Sequence, residues 1–277
     1  MAKNKMVIYK VFRAVLGPIY RLWYNPKIYG EENFPETGPI IVVGNHIHIM
    51  DQCSPIVVTK RSLHYMAKKE YFDPQYKEGK FPWFFRSAGC IPVDRKIKDD
   101  SAKSAAIDIL NEGHALGLFP EGTRNGLKEN RAKEIQEKYF KEENFEEFYK
   151  KVKHNKTSQI DYLEELIKNK KIKEKDFIDN IYDVDKYLKQ LVHDKVITED
   201  EYYDHIFLPF KFGAVSMAQK TGALIVPYVT TGEYKFRSKN LTVRIGKTLK
   251  VGHNEDLAKE NEQLRKYMIE LYKKNEK

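Results

Sequence analysis

The sequence predicts an α/β fold: a mixed, partly parallel sheet flanked by helices, with an N-terminal amphipathic membrane helix and an all-helical insert. Three observations lead there. Short apolar runs alternate with helical patterns in the first and last thirds of the chain, as they do in sheets built from strand–helix–strand units. Residues 130–205 contain no Pro and no Gly and carry a helical pattern throughout. Residues 1–24 set apolar side chains at helical spacing among scattered cations.

The N-terminal segment, 1–24, places Met6, Val7, Val11, Ala14 and Val15 on one stripe, widened by Phe12, Leu16, Ile19, Leu22 and Trp23. Its longest unbroken apolar run, Ala14 to Tyr20, is far short of the roughly 18 residues needed to span a bilayer. No secretory signal is visible. The expectation is an anchor lying in the membrane surface, with Lys10, Arg13 and Arg21 reaching toward lipid phosphates and Tyr20, Trp23 and Tyr24 at the interface. Pro18 lacks the amide donor and is expected to split the segment into two short helices. The competing reading is a helix that packs on the domain.

Further along, 39–44 (PIIVVG) and 63–67 (LHYMA) read as strands. An aromatic helix or turn from residue 81 leads into CIPVDR, a strand that ends in charge. Residues 101–112 form a helix with Ser101 as its N-cap, and 115–119 (ALGLF) a strand that runs into Pro120. A helix is expected over 209–221, with Pro209 near its start and Gly222 as its stop. LIVPYV and LTVRIG follow as strands, and a charged helix closes the chain from about residue 254. The α/β body is thus assigned to 25–129 and 206–277, and the insert to 130–205.

The insert carries an internal repeat: 162–181 and 187–206 align at an offset of 25, with Tyr162/Tyr187, Leu163/Leu188, Leu166/Leu191, Lys170/Lys195 and Ile172/Ile197 among the identities. Each copy reads helix, turn, helix, and Thr198 with Glu201 forms a capping box in the second. The copies resemble small hairpins used for interaction, so a protein partner or self-association is expected through the insert.

Net charge is +9. Between Lys128 and His205, 17 Lys and Arg stand against 20 Asp and Glu, so the insert is acidic at −3 and the remainder carries +12. A basic body favours anionic partners such as phospholipid head groups or phosphorylated substrates. Nucleic acid is excluded as a partner because no Arg/Lys cluster with interleaved aromatics is present. The two cysteines, Cys53 and Cys90, have no disulfide or zinc spacing, which points to a reducing compartment.

Chemistry concentrates at three strand ends. In NHIHIMD, His46 and Asp51 are five residues apart. In a loop, a carboxylate can hold one imidazole nitrogen while the other takes a proton from a hydroxyl. The spacing alone is weak, since the chain has eight histidines. His48 competes as the base, Cys53 as a nucleophile, and His46, His48, Asp51 and His64 as a metal set. No GxSxG is present, which disfavours a serine-elbow hydrolase. In FPEGTRN, Pro120, Gly122 and Thr123 force a turn that presents Glu121 and Arg124 at a strand's carboxyl end. Arg124 can fork onto a phosphate or pair structurally with Glu121; Asp94 and Arg95 in CIPVDR allow the same two readings.

Taken together, these segments resemble the glycerolipid acyltransferase family, the 1-acylglycerol-3-phosphate acyltransferases. NHIHIMD (45–51), GCIPVDR (89–95), FPEGTR (119–124) and IVPY (225–228) match the family's four motifs in order, and FKFGA (210–214) looks like its FKxGA segment. The resemblance covers about 25–125 and 207–250. It implies that His46 deprotonates the acceptor hydroxyl for attack on an activated acyl carbonyl and that Asp51 orients His46. It implies that Lys68, Arg95 and Arg124 hold the acceptor phosphate, that Glu121, Gly122 and Thr123 shape that site, and that Pro227 lies toward the acyl channel. No metal and no cofactor is implied; the acyl donor is a co-substrate, an acyl-carrier-protein thioester, acyl-CoA or acyl phosphate. The implied reaction acylates the sn-2 hydroxyl of 1-acylglycerol-3-phosphate at the cytoplasmic face of the cell membrane by a peripheral, monotopic enzyme. Glycerol-3-phosphate or another lysophospholipid is the alternative acceptor, and a non-catalytic basic membrane-binding protein the distant one. The departure from the family is the insert, which separates the third motif from FKFGA.

Overall fold

The computed structural model describes residues 6–76, 79–94, 96–97 and 99–276. By internal contacts the chain divides into two compact units. The first comprises Met1–Asn45, Ile49–Gly122 and Lys211–Lys277; the second comprises His46–His48 and Thr123–Phe210.

The first unit carries a seven-stranded sheet. In chain order its elements are α1 (Val7–Tyr24), β1 (Lys27–Tyr29), β2 (Ile40–Gly44), α2 (Cys53–Val58), β3 (Leu63–Lys68), α3 (Pro82–Ser87), β4 (Ile91–Val93), α4 (Asp100–Asn111) and β5 (Ala115–Leu118). The second unit then supplies α5 (Glu129–Tyr139), α6 (Phe145–Val152), α7 (Thr157–Lys168), α8 (Glu174–Asn180), α9 (Val184–His193) and α10 (Glu199–Asp204). The first unit resumes with α11 (Gly213–Thr221), β6 (Leu224–Thr231), β7 (Thr242–Ile245) and α12 (Leu257–Glu276). The strand order is β1-β7-β6-β2-β5-β3-β4. Every pairing is parallel except β6 with β7.

β2 is the middle of this sheet and is buried on both faces, which is why its sequence is an unbroken apolar run rather than an alternating one. Ile40 and Val42 join a core with Tyr9 of α1, Ile56 of α2 and Val226 of β6. By alternation Ile41 and Val43 point to the opposite face, where α11 packs against β2 and β6. β1 escaped the sequence reading because Lys27–Tyr29 is three residues long and has no apolar run; β7 recruits it by backbone pairing.

Three expectations are corrected. Pro18 does not split the N-terminal segment, and α1 runs unbroken from Val7 to Tyr24. The missing amide frees the carbonyl of Ala14, and both residues are exposed, so water can satisfy that carbonyl and the helix need not end there. The N-cap of α4 is Asp99 rather than Ser101: the Asp99 carboxylate accepts from the Ala102 amide at 3.0 Å and from the Ser101 hydroxyl at 2.6 Å. A carboxylate satisfies the orphan amides at a helix start better than the hydroxyl behind it. The helix expected from Pro209 begins at Gly213, because the Lys211 amide donates to the Pro120 carbonyl at 2.9 Å and keeps that segment extended.

α1 packs with one face and exposes another. Tyr9 and Tyr20 are buried, whereas Val11, Val15, Leu16, Ile19, Leu22 and Trp23 stand exposed. Two of the cations expected to face lipid have partners within the protein. Arg13 donates to the carbonyls of Thr59 and Lys60, and Arg21 to Glu31 and the Val57 carbonyl. The carboxyl end of α2 carries unsatisfied carbonyls and partial negative charge, so it attracts guanidinium groups. Among the described residues no helix is long and apolar enough to cross a membrane.

The second unit has its own apolar core, with Phe148, Ile160, Leu163, Phe177, Val184 and Leu188 fully buried. The two copies share local geometry. After α7 and after α9 the chain makes the same turn, with Lys170 (φ 57°) and Lys195 (φ 59°) both left-handed. The Lys171 and Val196 amides return to the carbonyls of Leu166 and Leu191, each at 2.9 Å. Thr198 and Glu201 form the expected capping box, and Asp176 reaches back to the Lys173 amide at the matching place in the first copy. The conserved apolar pairs Leu163/Leu188, Leu166/Leu191 and Ile172/Ile197 are buried in both copies.

Candidate functional site

Parallel pairing decides where the motifs lie. β2, β5, β3 and β4 are neighbours and all run the same way, as does β6 on the other side of β2. Their carboxyl ends therefore share one edge of the sheet, where open α/β sheets bind ligands. NHIHIMD follows β2, Lys68 ends β3, Asp94 follows β4 and FPEGTR follows β5. Asn45 fastens this edge. Its buried side-chain amide donates to the Thr230 carbonyl at 2.9 Å and its oxygen accepts the Thr230 amide at 2.8 Å, joining the ends of β2 and β6.

Asp51 is wholly buried in the first unit. Two strand tyrosines hold the backbone there: Tyr228 of β6 donates to the Asp51 carbonyl and Tyr65 of β3 to the Gln52 carbonyl, both at 3.2 Å. Each ring lies over a glycine on the adjacent strand. Gly44 is in register with Tyr228, and a Cβ on it would sit 2.1 Å from that ring; Gly117 is in register with Tyr65, and a Cβ on it would sit 2.4 Å away. Burial drives both hydroxyls well above their ordinary range, with the Asp51 charge adding to it at Tyr228, so both remain protonated donors. The same causes, burial first and Asp51 second, push the Cys53 thiol up to about 12. A thiol held neutral is a poor nucleophile, which disfavours that role for Cys53.

The FPEGTR turn is closed by the Gly122 amide donating to the Phe119 carbonyl at 3.0 Å. Gly122 has φ +71°, a conformation that side chains rarely adopt, and a Cβ there would lie 2.7 Å from the Lys211 ammonium. Lys211 of the FKFGA segment thus adds an exposed cation beside the turn, one not singled out in the sequence. Glu121 is buried. Lys68 is half-buried, 3.8 Å from Glu70. Asp94 pairs with Lys69, which follows the end of β3, at 2.6 Å. Arg95 lies outside the described residues. His64, offered above as a metal ligand, has its Nδ1 2.8 Å from the Gly89 carbonyl. Among the described residues no group of three or more His, Cys, Asp or Glu is placed to hold a metal ion.

In the second unit the His46 carbonyl accepts the Asn125 amide at 2.7 Å, which brings His46 beside Thr123 and Arg124. His46 and Thr123 are half-buried and Arg124 is exposed. Asn125 is the hub. Its buried side chain donates to Ser158 Oγ and the Ile206 carbonyl, both at 2.9 Å, and accepts the Ser158 amide at 3.1 Å. It ties the end of the third motif to the start of α7 and to the end of the repeat. The sequence offers only one hint of it, an Asn following a turn arginine. Asn125→Ala is expected to destabilise the protein by about 3 kcal/mol, since three buried hydrogen bonds lose their partner; denaturant unfolding checks this.

An apolar groove of about 240 Å³ runs between α1 and α2 in the first unit. Phe12, Leu16, Ile19, Tyr20, Met50 and Ile56 line it. Met50 and Cys53 in its wall flank Asp51 along the chain.

Known proteins resemble this chain in sequence and in fold. A 1-acyl-sn-glycerol-3-phosphate acyltransferase of Bacillus subtilis is 30% identical over 118 residues, covering 42% of this chain and 57% of that protein. The protein of the same name from Borreliella burgdorferi is 32% identical over 106 residues, covering 35% of this chain and 38% of that one. The aligned regions thus span about half the length of these relatives or less. The crystal structure of the 1-acyl-sn-glycerophosphate acyltransferase from Thermotoga maritima shares the fold, with a TM-score of 0.53 at 18% identity over 99% of this chain and 84% of that one. The model of the Acyltransferase family matches residues 25–231, most of the chain, and the chain belongs to that family.

Proposed function

We propose that the protein transfers an acyl group from an activated donor to the sn-2 hydroxyl of 1-acylglycerol-3-phosphate, giving phosphatidic acid. The observation that carries this reading is the exit of the four motif-bearing strands at one edge of a parallel sheet. The names of the two relatives point to the same acceptor.

In this reading His46 takes the proton of the acceptor hydroxyl as its oxygen attacks the acyl carbonyl. Asp51 fixes the tautomer of His46 and stabilises the imidazolium. The proton then passes to the departing thiolate or phosphate of the donor. Arg124, Lys68 and Arg95 hold the acceptor phosphate, while Glu121, Gly122 and Thr123 shape the turn that presents it. Among the described residues the Arg124 side chain makes no hydrogen bond or ion pair, which leaves its fork of donors available to a phosphate. The groove between α1 and α2 is apolar enough for an acyl chain. The exposed apolar face of α1 suits binding flat in a bilayer surface.

Arg124→Ala tests the phosphate assignment. Loss of a charge-assisted bidentate contact is expected to raise the acceptor KM by ~10- to 100-fold, with little change for a monoacylglycerol that lacks the phosphate. An equal loss on both acceptors would remove Arg124 from the phosphate site.

A further inference from the structure

The loop between β6 and β7, residues 232–241, leaves the sheet at the same edge as the motif-bearing strands, because β6 is parallel to β2. β1 runs the other way, since it is parallel to β7 and β7 is antiparallel to β6. The carboxyl end of α1, which leads into β1, therefore reaches that edge too. There the two meet. The Arg237 amide donates to the Trp23 carbonyl at 2.7 Å, and the Phe236 ring stands edge-on to Trp23 with centroids 4.9 Å apart. On the inner side Tyr234 packs edge-on against Tyr24 at 5.4 Å.

The loop is two-faced. Tyr234 turns its hydroxyl into the protein, while Phe236 is 60% exposed beside Trp23, itself 52% exposed. Lys235, Arg237 and Lys239 surround this aromatic pair and are all exposed. Lys235 pairs with Glu233 at 2.5 Å; among the described residues Arg237 and Lys239 make no ion pair. Arg13 and Arg21 of α1 are spent on carbonyls and on Glu31. At the patch where the apolar face of α1 ends, the loop thus adds two cations that make no ion pair among the described residues.

We propose that this loop is a second membrane-contacting element: Phe236 and Trp23 enter the bilayer interface while Arg237 and Lys239 bind anionic head groups. It seats the motif-bearing edge of the sheet on the lipid that holds the acceptor. Aromatic rings flanked by cations are what interfacial anchoring requires. The proposal rests on the membrane reading given above for α1.

Sedimentation of the full chain with phosphatidylcholine vesicles, with and without phosphatidylglycerol, tests it. At roughly fivefold per cation, Arg237→Asn with Lys239→Gln should weaken binding to the anionic vesicles by roughly 25-fold and leave neutral vesicles unaffected. Asn is chosen because it tolerates the left-handed backbone of Arg237 (φ 47°). Phe236→Ser should weaken binding to both by about tenfold. Glu233→Gln, which releases Lys235, should tighten anionic binding by roughly fivefold, a gain that misfolding cannot mimic. Wild-type binding by all three variants, with loss on Trp23→Ser and Leu22→Ser, overturns the role of the loop and leaves that of α1 standing. Wild-type binding by the α1 variants as well overturns the membrane reading itself.

Discussion

Replacing His46 by Ala is expected to lower kcat by about a thousandfold, within the ~10²- to 10⁴-fold range that positioned bases contribute, with the acceptor KM and vesicle binding little changed. A hydroxyl must lose its proton as its oxygen attacks, and an imidazole titrates where this transfer is easiest at neutral pH. His48→Ala supplies the control, because His48 is also half-buried and lies closer in sequence to Asp51. It should retain near-wild-type turnover. If His48→Ala loses turnover and His46→Ala keeps it, the base is the second histidine of NHIHIMD. Asp51→Asn should lower kcat while preserving the geometry, since an amide cannot stabilise an imidazolium as a carboxylate does.

The second large effect belongs to a residue with no chemistry. Gly44→Ala puts a Cβ 2.1 Å from the buried Tyr228 ring, so the ring or a strand must shift. Overpacking of this kind costs ~1–3 kcal/mol, and displacement of the ring removes the donor on the Asp51 carbonyl. The expected result is a lower denaturation midpoint together with reduced turnover. Adding Tyr228→Leu to Gly44→Ala separates the two effects. The smaller side chain relieves the clash and should recover much of the stability, yet turnover should stay low because no hydroxyl returns to Asp51. Recovery of both would mean that Tyr228 only fills space.

Much of the layout is legible in the sequence, for identifiable reasons. β2 announces itself through an apolar run buried on both faces. The helix ends at Gly222 and Thr198 follow from local backbone rules. The 25-residue repeat could be read because its identities fall on core positions and on the left-handed turn residues Lys170 and Lys195. What escaped the reading depends on partners distant in sequence. Tyr65 and Tyr228 look like ordinary strand aromatics until the register sets each over a glycine. Asn125 gains its meaning only from Ser158 and Ile206, 33 and 81 residues away. Ser101 lost the cap to Asp99, two residues earlier, and Pro18 was tolerated because it fell on the exposed side of α1.

The insert differs from the rest of the chain in how it is held and in what it offers. Its helices have a core of their own, and Val196 is its one large exposed apolar side chain among the described residues. Its surface is therefore dominated by charge, with a net excess of acidic groups.

The central claim is acyl transfer to the hydroxyl of a phosphate-bearing lysolipid. The most direct measurement incubates the purified protein with 1-acylglycerol-3-phosphate and, in turn, an acyl-carrier-protein thioester, acyl-CoA and acyl phosphate, and follows the lipids by mass spectrometry. The expected result is phosphatidic acid with at least one donor, absent with His46→Ala and much reduced when the acceptor phosphate is removed. Failure to form phosphatidic acid with any of the three donors, or formation that persists undiminished in His46→Ala, would contradict it.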